Sequence, residues 1–410
     1  MAGSNVAGAK PTASTMAALR RLWLNVHLWI GVGLAVLLIP ISISGGLLVF
    51  HDDLDALLNP QRYAVSGTTV ALPASAYLAK AADALAKEPG HLQVTALRFP
   101  EAPGQPLQAM ARAQERGGGG RPRFLTVFLD PPTGAVLDVL DFRASLFGFL
   151  HVFHENLMLP QYNGRQIVGW AGTGMAILSL TGIWLWWPRN GALLAALRWT
   201  RSPRFTFNLH NMLGFWIAIP LAAVSITGIY LSFPQTARSM MASMAEMSPG
   251  GQRGGFNSTV VARPALTADA ALDRALQAVP SSRPVTLSLP TQNRGGAGSS
   301  RANGGGAPAA MWRIQLERSD NGEPATVSVD DGSGQASVAA ARKTGDRAAS
   351  WIRWIHEGSH SGPVWAFIVF LTGVFPPVFA VTGIIMWLRR RADRKRRENL
   401  RAGAQLRPAE

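Results

Sequence analysis

Residues 22–51 read LWLNVHLWIGVGLAVLLIPISISGGLLVFH, thirty positions without one Asp, Glu, Lys or Arg. A bilayer core about 30 Å thick needs about 20 apolar helical residues to cross it, and this stretch exceeds that. It is too long for the apolar region of a signal peptide, and no small-residue cleavage pattern follows it. Three more uncharged stretches, 166–188, 205–234 and 361–388, meet the same criterion. Trp23, Trp29, Trp184, Trp186, Trp187, Tyr230, Trp365 and Trp387 gather toward their ends, where amphipathic rings favour the membrane–water interface.

The composition agrees. The 410 residues carry 39 Lys+Arg against 24 Asp+Glu, a formal charge of +15, yet only 15% are charged and 48% are hydrophobic. Soluble domains average about 25% charged residues, so the basic balance does not indicate a nucleic-acid partner. The chain has no Cys, which excludes disulfide scaffolds, thiolate catalysis, Cys-ligated zinc, iron–sulfur clusters and covalently attached haem. Segments 1–21, 189–204 and 389–410 hold 16 basic and 3 acidic residues, so they carry +13 of the +15. Positively charged loops stay cytoplasmic, which predicts both termini inside, with the basic clusters near anionic lipid. The expected order is a cytoplasmic N-terminus (1–21), span one (22–51) and an external segment (52–143). An interfacial helix with span two (144–188), a cytoplasmic loop (189–204) and span three (205–234) follow. A second external segment (235–349), an interfacial segment with span four (350–388) and a basic tail (389–410) complete the chain.

The halves repeat. His27 precedes Gly31 by four residues and Ser44-Gly45 by 17; His210 stands in the same spacing to Gly214 and Thr227-Gly228. Thr181-Gly182 runs into WLWWPR and Thr382-Gly383 into MWLRRR, with FHEN at 153–156 and IHEG at 355–358 upstream of them. Each external segment reads as a helix (74–87; 267–278) followed by strands. The strands are expected at 93–99, 106–113 and 123–129, then at 284–289, 311–317 and 326–329. An Asp-to-Gly turn then closes each set, at Asp130–Gly134 and Asp330–Gly334. The glycine runs 117–120 and 295–306 read as low-complexity insertions.

The HLWIG…SGGLLVFHDDLD opening, the DPPTG turn and the TGIWLWWPR and TGIIMWLRRR exits resemble the PepSY-associated membrane-helix family, from about Arg20 to Arg391. The resemblance implies an α-helical membrane protein with four transmembrane helices arranged as an internal duplication, and two periplasmic α+β PepSY-like insertions. It implies a bacterial inner-membrane location. It also implies an activity: some members are ferric-siderophore reductases that carry haem.

Histidines supply the chemistry. Of eight, His91 falls in an external loop; the other seven lie in or beside the spans. Ionisable groups there are costly and usually functional, and a neutral imidazole ligates metals and haem iron. His27 and His210 each follow an Arg by six residues, about 9 Å along a helix, forming an inner tier near Thr181 and Thr382. His154 and His356, each followed by Glu, form an outer tier. His151 lies one turn before His154, His360 faces His356 if its helix passes Gly358, and His51 closes the first span. Two tiers suit two b-type haems in series, with iron held by His27, His210, His154 and His356. His151 and His360 are further cofactor-binding candidates, and Glu155 and Glu357 are candidate partners for the ligand imidazoles. A zinc or copper site at His356 and His360 is an alternative.

No nucleophile–base pair, phosphate loop or dinucleotide fingerprint appears, so no catalytic residue is assigned. Electrons must come from a cytoplasmic donor or from quinol. The expected partners are the bilayer and a periplasmic ferric-siderophore or other ferric chelate, with no nucleic acid. Two rivals remain: a PepSY module that binds peptides or regulates peptidases without redox activity, and a transporter with Pro40, Pro220, Pro376 and Pro377 as helix breaks.

Overall fold

A computed structural model describes residues 13–113, 123–188, 197–199, 202–248, 258–293, 310–319, 324–340 and 342–405. Both glycine runs lie outside the described residues. The chain divides into two compact units: Met1–Phe50, Leu150–Ala245 and Arg347–Glu410 form a helical unit, and His51–Phe149 with Glu246–Asp346 form a sheet unit.

In the helical unit, α1 (Ala13–Val49), α5 (Gly164–Trp186), α6 (Phe205–Ser232) and α10 (Gly362–Gln405) are the long elements. Each contains a stretch long and apolar enough to cross a membrane. Between α1 and α5 the chain forms α2 (His51–Leu58), α3 (Ala74–Leu85) and α4 (Leu146–Asn156). Apolar side chains gain little from one another in lipid, so close approach depends on small residues. α1 crosses α10 where a Cβ on Gly373 would stand 2.6 Å from the Gly46 Cα. α5 meets the end of α6 where a Cβ on Gly169 would stand 2.5 Å from the Phe233 ring. Leu38, Ile41, Ala171, Met175, Ile217 and Leu221 fill the space between. The helices run on through Pro40, Pro220 and Pro376-Pro377.

Two shorter helices, α4 and α9 (Thr344–Glu357), precede α5 and α10. The links after them turn through left-handed backbone at Leu157, Met158 and Asn163, and at Gly358, His360 and Gly362. At Gly164 no larger residue fits, because a Cβ would lie 1.9 Å from the Asn156 carbonyl oxygen. The chain therefore breaks between α4 and α5 and between α9 and α10. α7 (Pro234–Met244) follows α6 directly.

The sheet unit draws strands from both insertions. Strands β1 (Leu92–Arg98), β2 (Leu107–Ala113), β3 (Phe124–Leu129) and β4 (Val136–Asp141) come from the first segment. β5 (Ser258–Val260), β6 (Ser282–Asn293), β7 (Met311–Arg318), β8 (Pro324–Asp330) and β9 (Ala336–Val338) come from the second. The nine form one antiparallel sheet in the order β4-β3-β2-β1-β6-β7-β8-β9, with β5 also on β6. β1 and β6 join the segments, pairing Leu97 with Leu287 and Arg98 with Thr286. Pairing removes an exposed edge that each set of strands would otherwise present.

Alternation decides which face is covered. On β7, Trp312, Ile314 and Leu316 are buried while Arg313 and Gln315 are exposed. The buried face packs on α3 and α8 (Ala268–Ala278) through Tyr77, Ala81, Leu85, Ala271 and Ala275. Burial of each large aliphatic side chain contributes about 1.5–3 kcal/mol. Both Asp-to-Gly turns form, with the Gly134 N–H donating to the Asp130 carbonyl and Gly334 to Asp330, each at 2.8 Å. The buried carboxylates differ by one position. Asp130 accepts from the Ser66 N–H and hydroxyl, both at 2.7 Å. Asp331, not Asp330, accepts from the Ala265 N–H at 2.8 Å and the Trp312 indole at 2.9 Å.

Candidate functional site

The helical unit brings the repeat-matched histidines together in two pairs. His27 on α1 and His210 on α6 have ring centres 6.3 Å apart and planes at 77°. His154 on α4 and His356 on α9 have ring centres 6.2 Å apart and planes at 43°. His27 to Gly45 is 18 residues of α1, and His210 to Gly228 is 18 residues of α6. Each corresponds to about 27 Å of helix, so the levels are well separated.

Each imidazole is tied at Nδ1. His27 Nδ1 lies 2.8 Å from the Thr181 hydroxyl oxygen, and His210 Nδ1 lies 2.8 Å from that of Thr382. The Thr181 hydroxyl donates to the Ile177 carbonyl at 2.7 Å, and the Thr382 hydroxyl to Val378 at 2.7 Å. With those protons spent, the oxygens accept and Nδ1 carries the ring hydrogen. In the other pair, His154 Nδ1 donates to the Ile41 carbonyl and His356 Nδ1 to the Val224 carbonyl, both at 2.9 Å. A carbonyl only accepts, so the tautomer is the same. All four Nε2 atoms therefore keep their lone pairs.

Glycine makes room for the rings. A Cβ on Gly45 would stand 2.6 Å from His154 Cε1, and one on Gly228 would stand 2.8 Å from His356 Cε1. Gly182 and Gly383 lie under His27 and His210 at looser distances of 3.6 and 3.8 Å. Withdrawal from water, reinforced by neighbouring His154, pushes the His356 imidazole down to about 4. Withdrawal from water likewise lowers His154. Neutral rings are the ligating form.

A metal between two imidazole nitrogens, at about 2.0–2.1 Å from each, places ring centres roughly 6 Å apart. Both pairs match that span. Among the described residues no group of three or more His, Asp or Glu could hold a metal ion.

The other candidates fall elsewhere. α9 ends at Glu357, and His360 stacks on Trp354 at 4.3 Å with planes at 12°. It does not continue the helical face of His356. His151 is exposed one turn before His154. His51 lies 3.3 Å from Asp52. Glu155 pairs with Arg165 at 3.2 Å and Glu357 with Arg353 at 3.0 Å, so backbone carbonyls, not these carboxylates, orient the imidazoles. The Ile41 and Val224 carbonyls were not legible in the sequence, because a main-chain acceptor has no residue signature. The Ser/Thr-Gly spacing was the available signal.

Four membrane-length helices with two half-buried histidine pairs, and a helix-covered antiparallel sheet, define a multi-pass membrane protein with PepSY-like insertions. The family model for the PepSY-associated TM region matches residues 24–390, and the chain belongs to that family. No curated protein matches the chain.

Proposed function

We propose that this chain is a dihaem b-type electron-transfer protein of the bacterial inner membrane, built by internal duplication with both termini cytoplasmic. It takes electrons from a cytoplasmic donor or quinol and delivers them to a periplasmic ferric chelate, acting as a siderophore reductase in iron acquisition. The observation that carries this reading is the geometry of the two pairs: ring centres 6.3 and 6.2 Å apart, with every Nδ1 already engaged. When bound, a b-type haem supplies a one-electron Fe(III)/Fe(II) couple. His27 and His210 hold one group, and His154 and His356 hold the other. Thr181, Thr382 and the carbonyls of Ile41 and Val224 hold the ring hydrogens away from the ligating nitrogens. The surrounding apolar helices exclude water. Reduction weakens hard-oxygen chelation of the substrate iron, so one electron releases iron without hydrolysis of the chelate.

The test is a difference spectrum of purified protein, oxidised against dithionite-reduced, with haem quantified per polypeptide. The expected result is two b-type haems per chain. A colourless protein overturns the proposal and favours the PepSY peptide-binding or peptidase-regulating module.

A further inference from the structure

Ser44-Gly45, Thr181-Gly182, Thr227-Gly228 and Thr382-Gly383 are alike in sequence, and each lies beside one of the paired histidines. Their hydrogen bonds divide them. Thr181 and Thr382 are the direct Nδ1 partners of His27 and His210, at 2.8 Å. Ser44 and Thr227 stand farther from His154 and His356, at 3.4 and 3.3 Å, and the nearer acceptors there are the Ile41 and Val224 carbonyls at 2.9 Å. The Ser44 hydroxyl donates to that same Ile41 carbonyl at 2.9 Å, and Thr227 donates to Ala223 at 2.8 Å and Val224 at 2.9 Å.

We propose that Thr181 and Thr382 are positioning residues that fix the Nδ1–H tautomer of His27 and His210 and set the redox potential of that site, whereas Ser44 and Thr227 do not do so at the other. An acceptor on Nδ1–H raises the basicity of the opposite nitrogen and stabilises the more positive, ferric state of a ligated iron. At the His27–His210 site the nearest acceptor is a side chain that can be substituted, the Leu178 carbonyl being a second partner of His27. At the His154–His356 site it is backbone, which side-chain substitution leaves in place. The inference rests on the two-haem reading.

The experiment is a potentiometric titration of purified Thr181→Val, Thr382→Val, Ser44→Ala and Thr227→Val, with Thr181→Ser as the conservative control. The two sites are assigned by His27→Ala and His154→Ala. Either Thr→Val change at the first site should raise its midpoint by about 59 mV, tenfold in a one-electron equilibrium constant, and leave the other midpoint in place. Thr181→Ser should keep the wild-type value. Unchanged midpoints in both valine variants overturn the proposal, as does an equal shift from Ser44→Ala or Thr227→Val at their own site. If the valine variants do not assemble, a shifted midpoint in Thr181→Ser overturns it. A colourless wild type defeats the haem reading instead. The tautomer is then read directly by ¹⁵N imidazole shifts: His27 is expected as Nδ1–H in the wild type and as a mixture in Thr181→Val, and an unchanged tautomer overturns the proposal.

Discussion

Gly45 lies directly beneath the imidazole of His154: a Cβ at that position would be 2.6 Å from Cε1 and 3.0 Å from Nδ1. Gly228 stands in the same relation to His356, at 2.8 Å. Distances this short force the ring to move, and the ring is held by a main-chain carbonyl that does not follow it. Gly45→Ala and Gly228→Ala are therefore expected to lose the haem at the His154–His356 site and keep the other. Gly182→Ala and Gly383→Ala meet their histidines at ordinary contact distance and should retain both. Haem per polypeptide in the four variants checks the contrast.

Each pair should behave as a unit. His27→Ala or His210→Ala should leave one haem of two, and so should His154→Ala or His356→Ala. His151→Ala and His360→Ala should keep both, because His151 is exposed and His360 stacks on Trp354. Pyridine haemochrome quantification decides, and retention of both haems in His27→Ala and His210→Ala would sink the assignment of that site.

The sheet unit contains a buried ion network. Arg62, 7% exposed, pairs with Asp55 at 2.7 Å and Asp138 at 2.8 Å, and the Tyr63 hydroxyl also donates to Asp55 at 2.9 Å. Removing one partner strands the others, so Arg62→Met should destabilise the unit by about 3–5 kcal/mol. Adding Asp55→Asn and Asp138→Asn should recover much of that loss, since a buried charge network replaced by neutral groups is often close to neutral in stability. Urea unfolding followed by circular dichroism measures both.

Asp130 predicts an acid response. Burial alone would raise its carboxyl; hydrogen bonds from Thr133 and Ser66 outweigh burial and hold it below its ordinary value. A depressed folded-state value means the stabilisation is complete above the unfolded carboxyl range, near pH 4, and is lost as pH falls through the folded value. Thermal midpoints between about pH 6 and pH 3 should fall for the wild type and vary less for Asp130→Asn, which should start lower at neutral pH.

Glu155→Gln and Glu357→Gln should leave both haem sites intact. The two carboxylates are 40% and 45% exposed and paired with Arg165 and Arg353, and exposed pairs of this kind contribute about 0–1 kcal/mol. A loss of haem in either variant would show that the carboxylates reach the ligands after all.

Much of this architecture was readable beforehand because it rests on local pattern. The four spans are visible as uncharged runs, and strands such as Met311–Arg318 as strict alternation. The strands at Ser258–Val260, Val136–Asp141 and Ala336–Val338 were missed: the first and last have three residues, and Ala336–Val338 is exposed throughout. Strands this short at a sheet margin carry little periodicity to read. The place of His360 depended on whether the helix passes Gly358; it ends at Glu357, where the chain turns left-handed.

By itself, the sequence determined which segments can cross a membrane, and it placed His and Ser/Thr-Gly at matched intervals in each half. Those properties depend on side-chain polarity and helical period, which act over a few turns. Only the tertiary structure decided that His27 meets His210 and His154 meets His356, that β1 joins β6 in one sheet, and that the ring hydrogens of His154 and His356 go to the Ile41 and Val224 carbonyls. Such pairings arise where distant segments pack. A backbone carbonyl is present at every residue of the chain, so only packing selects those of Ile41 and Val224.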